Sequence, residues 1–282
     1  MAKKKYARKK SSGAGPIIGG SLAVVASIAL ASGLGYLALN AYSRPGINKE
    51  TKCPETGPVS VTAFLIDTTD PISKKTLTDA KNRFEAEIGS IAVGELLEIY
   101  GLTEKSGELK TMFAGCNPGD GSTVDQWTNN PRLRQRQWEE AFGKPLEEVS
   151  GNLEKGQGGN QSPIMAAIQS IKLQVFDKYN KLDIPKQMIV MSDMIEHTDL
   201  YSQYKSGIDF GTYKATPAYA DFRTSLDNVE VSIWYIDRGL KRFNGPQHME
   251  FWAEWVMDNR GTFGSSRRLE GVNPQGSTGG NS

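Results

Sequence analysis

From Pro16 to Tyr42 the chain carries no charged residue: PIIGGSLAVVASIALASGLGYLALNAY. As a helix such a stretch would run about 40 Å at 1.5 Å per residue, against a hydrocarbon core about 30 Å thick. Two outcomes compete for such a run. One is a membrane span. The other is a secretory signal with a basic leader and Ala31-Ser32-Gly33 as its small-residue cleavage site. The apolar stretch continues from Leu34 to Tyr42 past that site, which a signal peptide does not need, so a retained anchor is expected. Lys3, Lys4, Lys5, Arg8, Lys9 and Lys10 precede the span, while Arg44, Lys49 and Lys52 follow it. The denser positive cluster stays in the cytoplasm. This predicts a single pass through the inner (cell) membrane, with the N-terminus cytoplasmic and the C-terminal domain periplasmic. Gly19, Ala23, Ser27, Ala31 and Gly35 recur at every fourth position, a stripe on which another transmembrane helix could pack closely.

The rest of the chain divides around that run. Residues 1–15 are a basic tail and 16–42 the span. Residues 43–58 (SRPGINKETKCPETGP) lack apolar periodicity and form a linker. Residues 59–263 form one domain, and the Gly- and Ser-rich 264–282 is expected to be disordered. The whole chain has 33 Lys+Arg against 32 Asp+Glu. Six of those cations lie in the first ten residues, so the body is mildly acidic. An acidic body argues against nucleic-acid binding, which needs a basic face. With only two His and two Cys, a structural zinc module is excluded. In an exported domain two thiols are usually a pair. Cys53 lies just before the first predicted strand and Cys116 ends the third, which would run back toward the same edge. A Cys53–Cys116 disulfide is therefore expected.

The body alternates strand and helix signals. VSVTAFLID (59–67), QMIVMSD (187–193) and VEVSIWYID (229–237) are buried-strand runs. ELLEIYGL (95–102) and LKTMFAGC (109–116) flank a turn-like EKSGE and read as a hairpin. Helical patterns follow at Leu77 to Ile91, Arg132 to Val149, Pro163 to Tyr179 and Pro246 to Asn259. This order predicts a doubly wound α/β fold with a mostly parallel sheet and one antiparallel edge strand.

Three of those strands end in an acid: Asp67, Asp193 and Asp237. In open α/β sheets sites form outside the carboxyl ends of the strands, and a carboxylate there must be paired, hydrogen-bonded or bound to a cation. Hydroxyls accompany the first two: Thr68, Thr69 and Ser192. Oxygen donors of this kind suit Mg²⁺. The same aspartates could equally cap the helices that follow.

LIDTTDP at the first strand's end, QSPIMAAI at a helix start and IVMSDM at a later strand's end resemble the von Willebrand factor A domain. The resemblance implies a doubly wound sheet and a metal-ion-dependent adhesion site. By position, Asp67, Thr69, Ser162 and Asp193 match its ligands, with Mg²⁺ or Mn²⁺ as the ion. Pro71 stands where the motif has a third hydroxyl, which implies a weak or absent metal; Asp70 is its charged neighbour. The family further implies protein binding; with the expected anchor, the chain is expected to serve as part of a bacterial envelope complex. The competing function is an exported phosphohydrolase with Asp67 as nucleophile. That chemistry usually places a general acid two residues on, where this chain has Thr69. His197 is expected on a surface loop and His248 as a structural residue of the last helix. The Gly-rich GGNQS (158–162) has no following Lys to make it a phosphate loop, and NPGDGSTVD (117–125) lacks calcium-loop spacing.

Overall fold

A computed structural model describes residues 15–42, 46–48, 51–67, 69, 72–123, 130–153, 159–240 and 243–269. The chain divides into two compact units, 1–46 and 47–282. The first contains helix α1, Gly15–Tyr42. Its side chains are described at 24–39 and are all exposed, Val24, Ile28, Leu30 and Leu39 among them. Taken over the described residues alone, no helix is long and apolar enough to cross a membrane. The Lys and Arg cluster before the span lies outside the described residues.

The second unit is built on a six-stranded sheet. In chain order its elements are β1 Val61–Ile66, α2 Lys74–Ser90, β2 Leu96–Leu102 and β3 Leu109–Cys116. Then come α3 Pro131–Trp138, which runs through a wide turn at Glu139–Gly143 into α4 Lys144–Asn152, and α5 Ile164–Gln174. β4 Lys186–Ser192 is followed by three short helices, α6 Gln203–Ser206, α7 Phe210–Lys214 and α8 Pro217–Asp221. β5 Val229–Ile236, α9 Gly245–Asp258 and β6 Thr262–Leu269 complete the unit. The strand order is β3-β2-β1-β4-β5-β6. Only β3 runs antiparallel, paired with β2; the other neighbours are parallel.

Alternation along the strands divides the core in two. Val61, Ala63 and Leu65 of β1 face one layer with α5 and α9 residues such as Ile168 and Trp252. Phe64 and Ile66 face the other, with Leu77, Ala80 and Phe84 of α2. The central strands are buried on both faces, as parallel strands under helices on both sides must be. Phe64 meets Phe84 and Trp234 edge-on, at 5.5 and 4.9 Å between centroids. Side chains start two of these helices: Ser73 Oγ accepts from Thr76 N for α2, and Asn244 Oδ1 from Gln247 N for α9.

The structure corrects two domain limits. Residues 264–269, expected in a disordered tail, instead continue the edge strand β6, Thr262–Leu269, which pairs parallel to β5. Backbone pairing with Val229–Ile236 holds this polar segment, and Leu269 is buried at its end. The linker expected over 43–58 is structured where it meets the sheet. Ile47 and Pro54 form a bridge, and Thr51 O accepts from Cys116 N at 2.7 Å. Cys53 and Cys116 are bonded, as expected from their common edge, with Cα atoms 4.8 Å apart.

Candidate functional site

β1, β4 and β5 run parallel, so the residues that follow them share one edge of the sheet. Asp67 and Asp193 sit there almost fully buried, each 5% exposed. Asp67 is a hydrogen-bond hub. Its Oδ1 accepts from Thr69 N at 3.0 Å and Thr69 Oγ1 at 2.6 Å. Its Oδ2 accepts from Ser162 Oγ at 3.1 Å and Ser192 Oγ at 2.8 Å. The backbone bond to Thr69 turns the chain out of β1 in the manner usual for aspartate. Ser162 reaches the hub because its loop forms a two-bond backbone bridge with His197, at 2.8 and 3.1 Å. The loop before α5 is thereby tied to the loop after β4.

Asp193 makes a similar turn, its Oδ1 accepting from Ile195 N at 3.0 Å. Its Oδ2 is held by Arg238 Nε at 3.0 Å, in a pair whose side chains are 6% and 19% exposed. Burial, and then the nearby Asp67 charge, push the Asp193 carboxyl up to about 6, although Ile195 N and Arg238 pull the other way. Between the two acids and the loop, Met194 adopts φ +60°, the left-handed region disfavoured for a side-chain-bearing residue. Ser192 Oγ accepts from Met194 N at 2.8 Å and Trp252 Nε1 donates to Met194 O at 2.8 Å. Strain of this kind costs about 1–3 kcal/mol and persists where surrounding bonds dictate it. The third strand-ending acid leaves the cluster: Asp237 pairs with Arg268 of β6 at 3.0 Å.

Beneath this edge lies a buried polar network. Glu196 accepts from Met165 N at 2.8 Å, placing its carboxyl group at the start of α5. Its burial pushes the carboxyl up to about 8. Glu196 N donates to Gln203 Oε1 at 3.0 Å, and the same oxygen lies 3.0 Å from His248 Nε2. His248 is fully buried and its burial holds it down to about 4, so it is a neutral structural residue, as expected. At the surface, His197 meets Tyr204 edge-on at 5.4 Å, and Tyr204 meets Phe243 at 5.7 Å. Thr69, Ser162, Asp193, His197 and Tyr204 line one shallow cleft of about 130 Å³.

All four predicted site residues, Asp67, Thr69, Ser162 and Asp193, therefore converge. Thr68, Asp70 and Pro71 lie outside the described residues. The donors are hard oxygens, the kind Mg²⁺ or Mn²⁺ takes. Their bonds are already made, however. Each Asp67 oxygen accepts two hydrogen bonds, and a guanidinium holds the outer oxygen of Asp193. Among the described residues no group of three or more His, Cys, Asp or Glu is placed to hold a metal. In this arrangement the residues do not fit a divalent ion. Sequence reasoning missed Arg238, Met194 and Gln203; of these only Arg238, directly after a strand-ending acid in YIDRG, left a visible signal.

The fold and site define a class: a doubly wound α/β domain with an acid-and-hydroxyl cluster at the carboxyl edge of its sheet. No family model and no curated protein matches the chain. Several solved structures resemble it. An aerotolerance-related membrane protein from Bacteroides fragilis is 12% identical at TM-score 0.38, covering 75% of this chain and 92% of that one. The conserved hypothetical protein BatB from Bacteroides thetaiotaomicron is 15% identical at TM-score 0.37, covering 77% and 92%. A von Willebrand factor type A protein from Catenulispora acidiphila is 12% identical at TM-score 0.40, covering 74% and 39%. The fold of the present chain rests on its own strand order and register.

Proposed function

We propose that this chain is a membrane-anchored protein-binding module. Helix α1 holds it in the inner membrane with the N-terminus cytoplasmic, and the carboxyl-edge face binds a partner protein of an envelope complex. The small-residue stripe from Gly19 to Gly35 offers a second contact, to a transmembrane helix of that complex. One observation carries the reading. Hydrogen bonds join the loops after β1 and β4 and before α5 into one face, and His197 and Tyr204 line its cleft, with Tyr204 braced edge-on by the buried Phe243. Rigid aromatic side chains around a polar centre suit protein recognition, because they offer contact area at little entropic cost. The anchor is supported by the charge-free composition of Gly15–Tyr42 and the exposed Val and Leu side chains at its described positions.

The phosphohydrolase alternative finds no favouring observation. Both Asp67 oxygens are engaged in hydrogen bonds, and Thr69 donates to Asp67 from the position where such an enzyme keeps its acid. The test is purification of the full-length chain from its own membranes in mild detergent. A co-purifying protein lost in Tyr204→Ala but kept in Val93→Ala, at the opposite edge, is the expected result. Equal retention in both variants overturns the assignment of the face. Turnover of a generic phosphoester that disappears in Asp67→Asn overturns the binding-module reading itself.

A further inference from the structure

We propose that Arg238 is the built-in cation of this site, occupying the electrostatic role of a divalent ion and keeping such an ion out. The proposal stands apart from what the face binds. The charge count favours it. Asp67 and Asp193 are both nearly buried, and buried like charges must be offset by a counter-charge. Arg238 provides one, with Nε 3.0 Å from Asp193 Oδ2 and a largely covered side chain. Two carboxylates and one guanidinium leave a formal charge of −1. A divalent ion added to that set would leave +1 and would face the guanidinium across a shared carboxylate.

The bonding geometry points the same way. A hard cation needs oxygen lone pairs, and Mg²⁺ demands six of them in near-octahedral order. Here three hydroxyls, of Thr69, Ser162 and Ser192, point their protons at Asp67. With Thr69 N they fill the four acceptor positions of its two oxygens, so metal entry would have to displace these donors from Asp67 and Arg238 from Asp193. Nor is Arg238 there by chance of a long surface side chain. It follows Asp237, which is fixed to β6 by Arg268 and to the next turn by Gly239 N at 2.7 Å. The segment that delivers the guanidinium is thus pinned at its base. A metal site would gain from an opposite arrangement, with the loop after β5 carrying no cation.

The experiment is Mn²⁺ binding to the full-length chain in mild detergent, read by the loss of the free-ion paramagnetic signal. The variants are Arg238→Ala and Arg238→Met, the second keeping the bulk of the side-chain stem. Circular dichroism checks that each is folded. The wild type is expected to show no saturable site in the millimolar range. At least one folded variant is expected to bind Mn²⁺ tighter by about 10–100-fold, the scale of changes at groups that set a ligand's availability. Adding Asp193→Asn to that variant should abolish the new site. Wild-type binding that Arg238 substitution does not strengthen overturns the proposal. So does the absence of a gained site in both folded variants.

Discussion

Breaking the Cys53–Cys116 bond should destabilise the domain by an amount its position in the chain sets. The two cysteines are separated by 63 residues and enclose β1, α2, β2 and most of β3. In the chain-entropy model, opening a loop of that length returns about 14 cal/mol/K to the unfolded ensemble, or about 4 kcal/mol at 25 °C. The native state loses little in exchange, because β3 remains paired to β2 along Leu96–Leu102 and Thr51 O still accepts from Cys116 N. For a domain of this size each kcal/mol is worth about 2–4 °C in Tm. The Cys53→Ala/Cys116→Ala double variant should therefore melt about 8–16 °C lower than the oxidised wild type. Wild type in excess reductant should approach the same value. Thermal unfolding followed by far-ultraviolet circular dichroism, with and without reductant, gives both numbers in one series. A shift below about 3 °C, equivalent to less than about 1 kcal/mol, would refute the reasoning. It would mean that the unfolded chain already holds these segments together.

Asp67→Ala should cost about 3 kcal/mol or more in urea unfolding, because three buried hydroxyls lose their acceptor at once. Asp67→Asn, which keeps one carbonyl oxygen, should cost about half as much; equal costs would contradict the role of hub. Stability should also bend with pH in two opposite ways. His248 sits at about 4 folded against an ordinary 6.5, so the unfolded chain takes the proton first and stability rises with pH across that window. Glu196 sits at about 8 folded against an ordinary 4.5, so its contribution is full below 4.5 and is lost as pH rises through 8. Asp193, at about 6, falls off in the same direction as Glu196. Across the shared window the His248 gain offsets only one of the two losses, so Tm measured from pH 4 to 9 should fall toward alkaline pH, and Glu196→Gln should flatten that fall; an unchanged fall would remove Glu196 as its cause. For topology, a reporter active only outside the cytoplasm should work when fused after Ser282. Activity of a cytoplasm-only reporter there would reverse the orientation, and a mature N-terminus near Leu34 would replace the anchor with a signal peptide.

Much of the fold was legible because buried parallel strands have a simple signature. Val61–Ile66, Lys186–Ser192 and Val229–Ile236 are apolar runs, each stopped by an aspartate that cannot continue into the core. The hairpin 96–102 and 109–116 was equally plain, since a polar, Gly-containing turn lies between two strand-like runs. β6 was hidden for the opposite reason. Thr262–Leu269 holds Gly264, two Ser and two Arg, and most of it stays exposed; only pairing with β5 makes it a strand. In the site, Asp67, Thr69, Ser162 and Asp193 were found because they end strands or begin a helix, positions that local sequence marks. Arg238 was not, because its ion pair with Asp193 bridges 45 positions. The Glu196–Gln203–His248 network was also invisible. A buried polar group and a solvated one look alike until the layers that cover them are known, and here that cover comes from α9.

The central claim is that the carboxyl edge of the sheet is the surface this domain presents to its partner. Site-specific photo-crosslinking in intact cells tests it directly. A crosslinking residue is placed at Asn160 or Tyr204, on that edge, and at Val59 or Val93, exposed at the opposite edge. The account predicts that Asn160 and Tyr204 give a discrete adduct with one and the same protein while Val59 and Val93 give none. Adducts from Val59 and Val93 alone would contradict it.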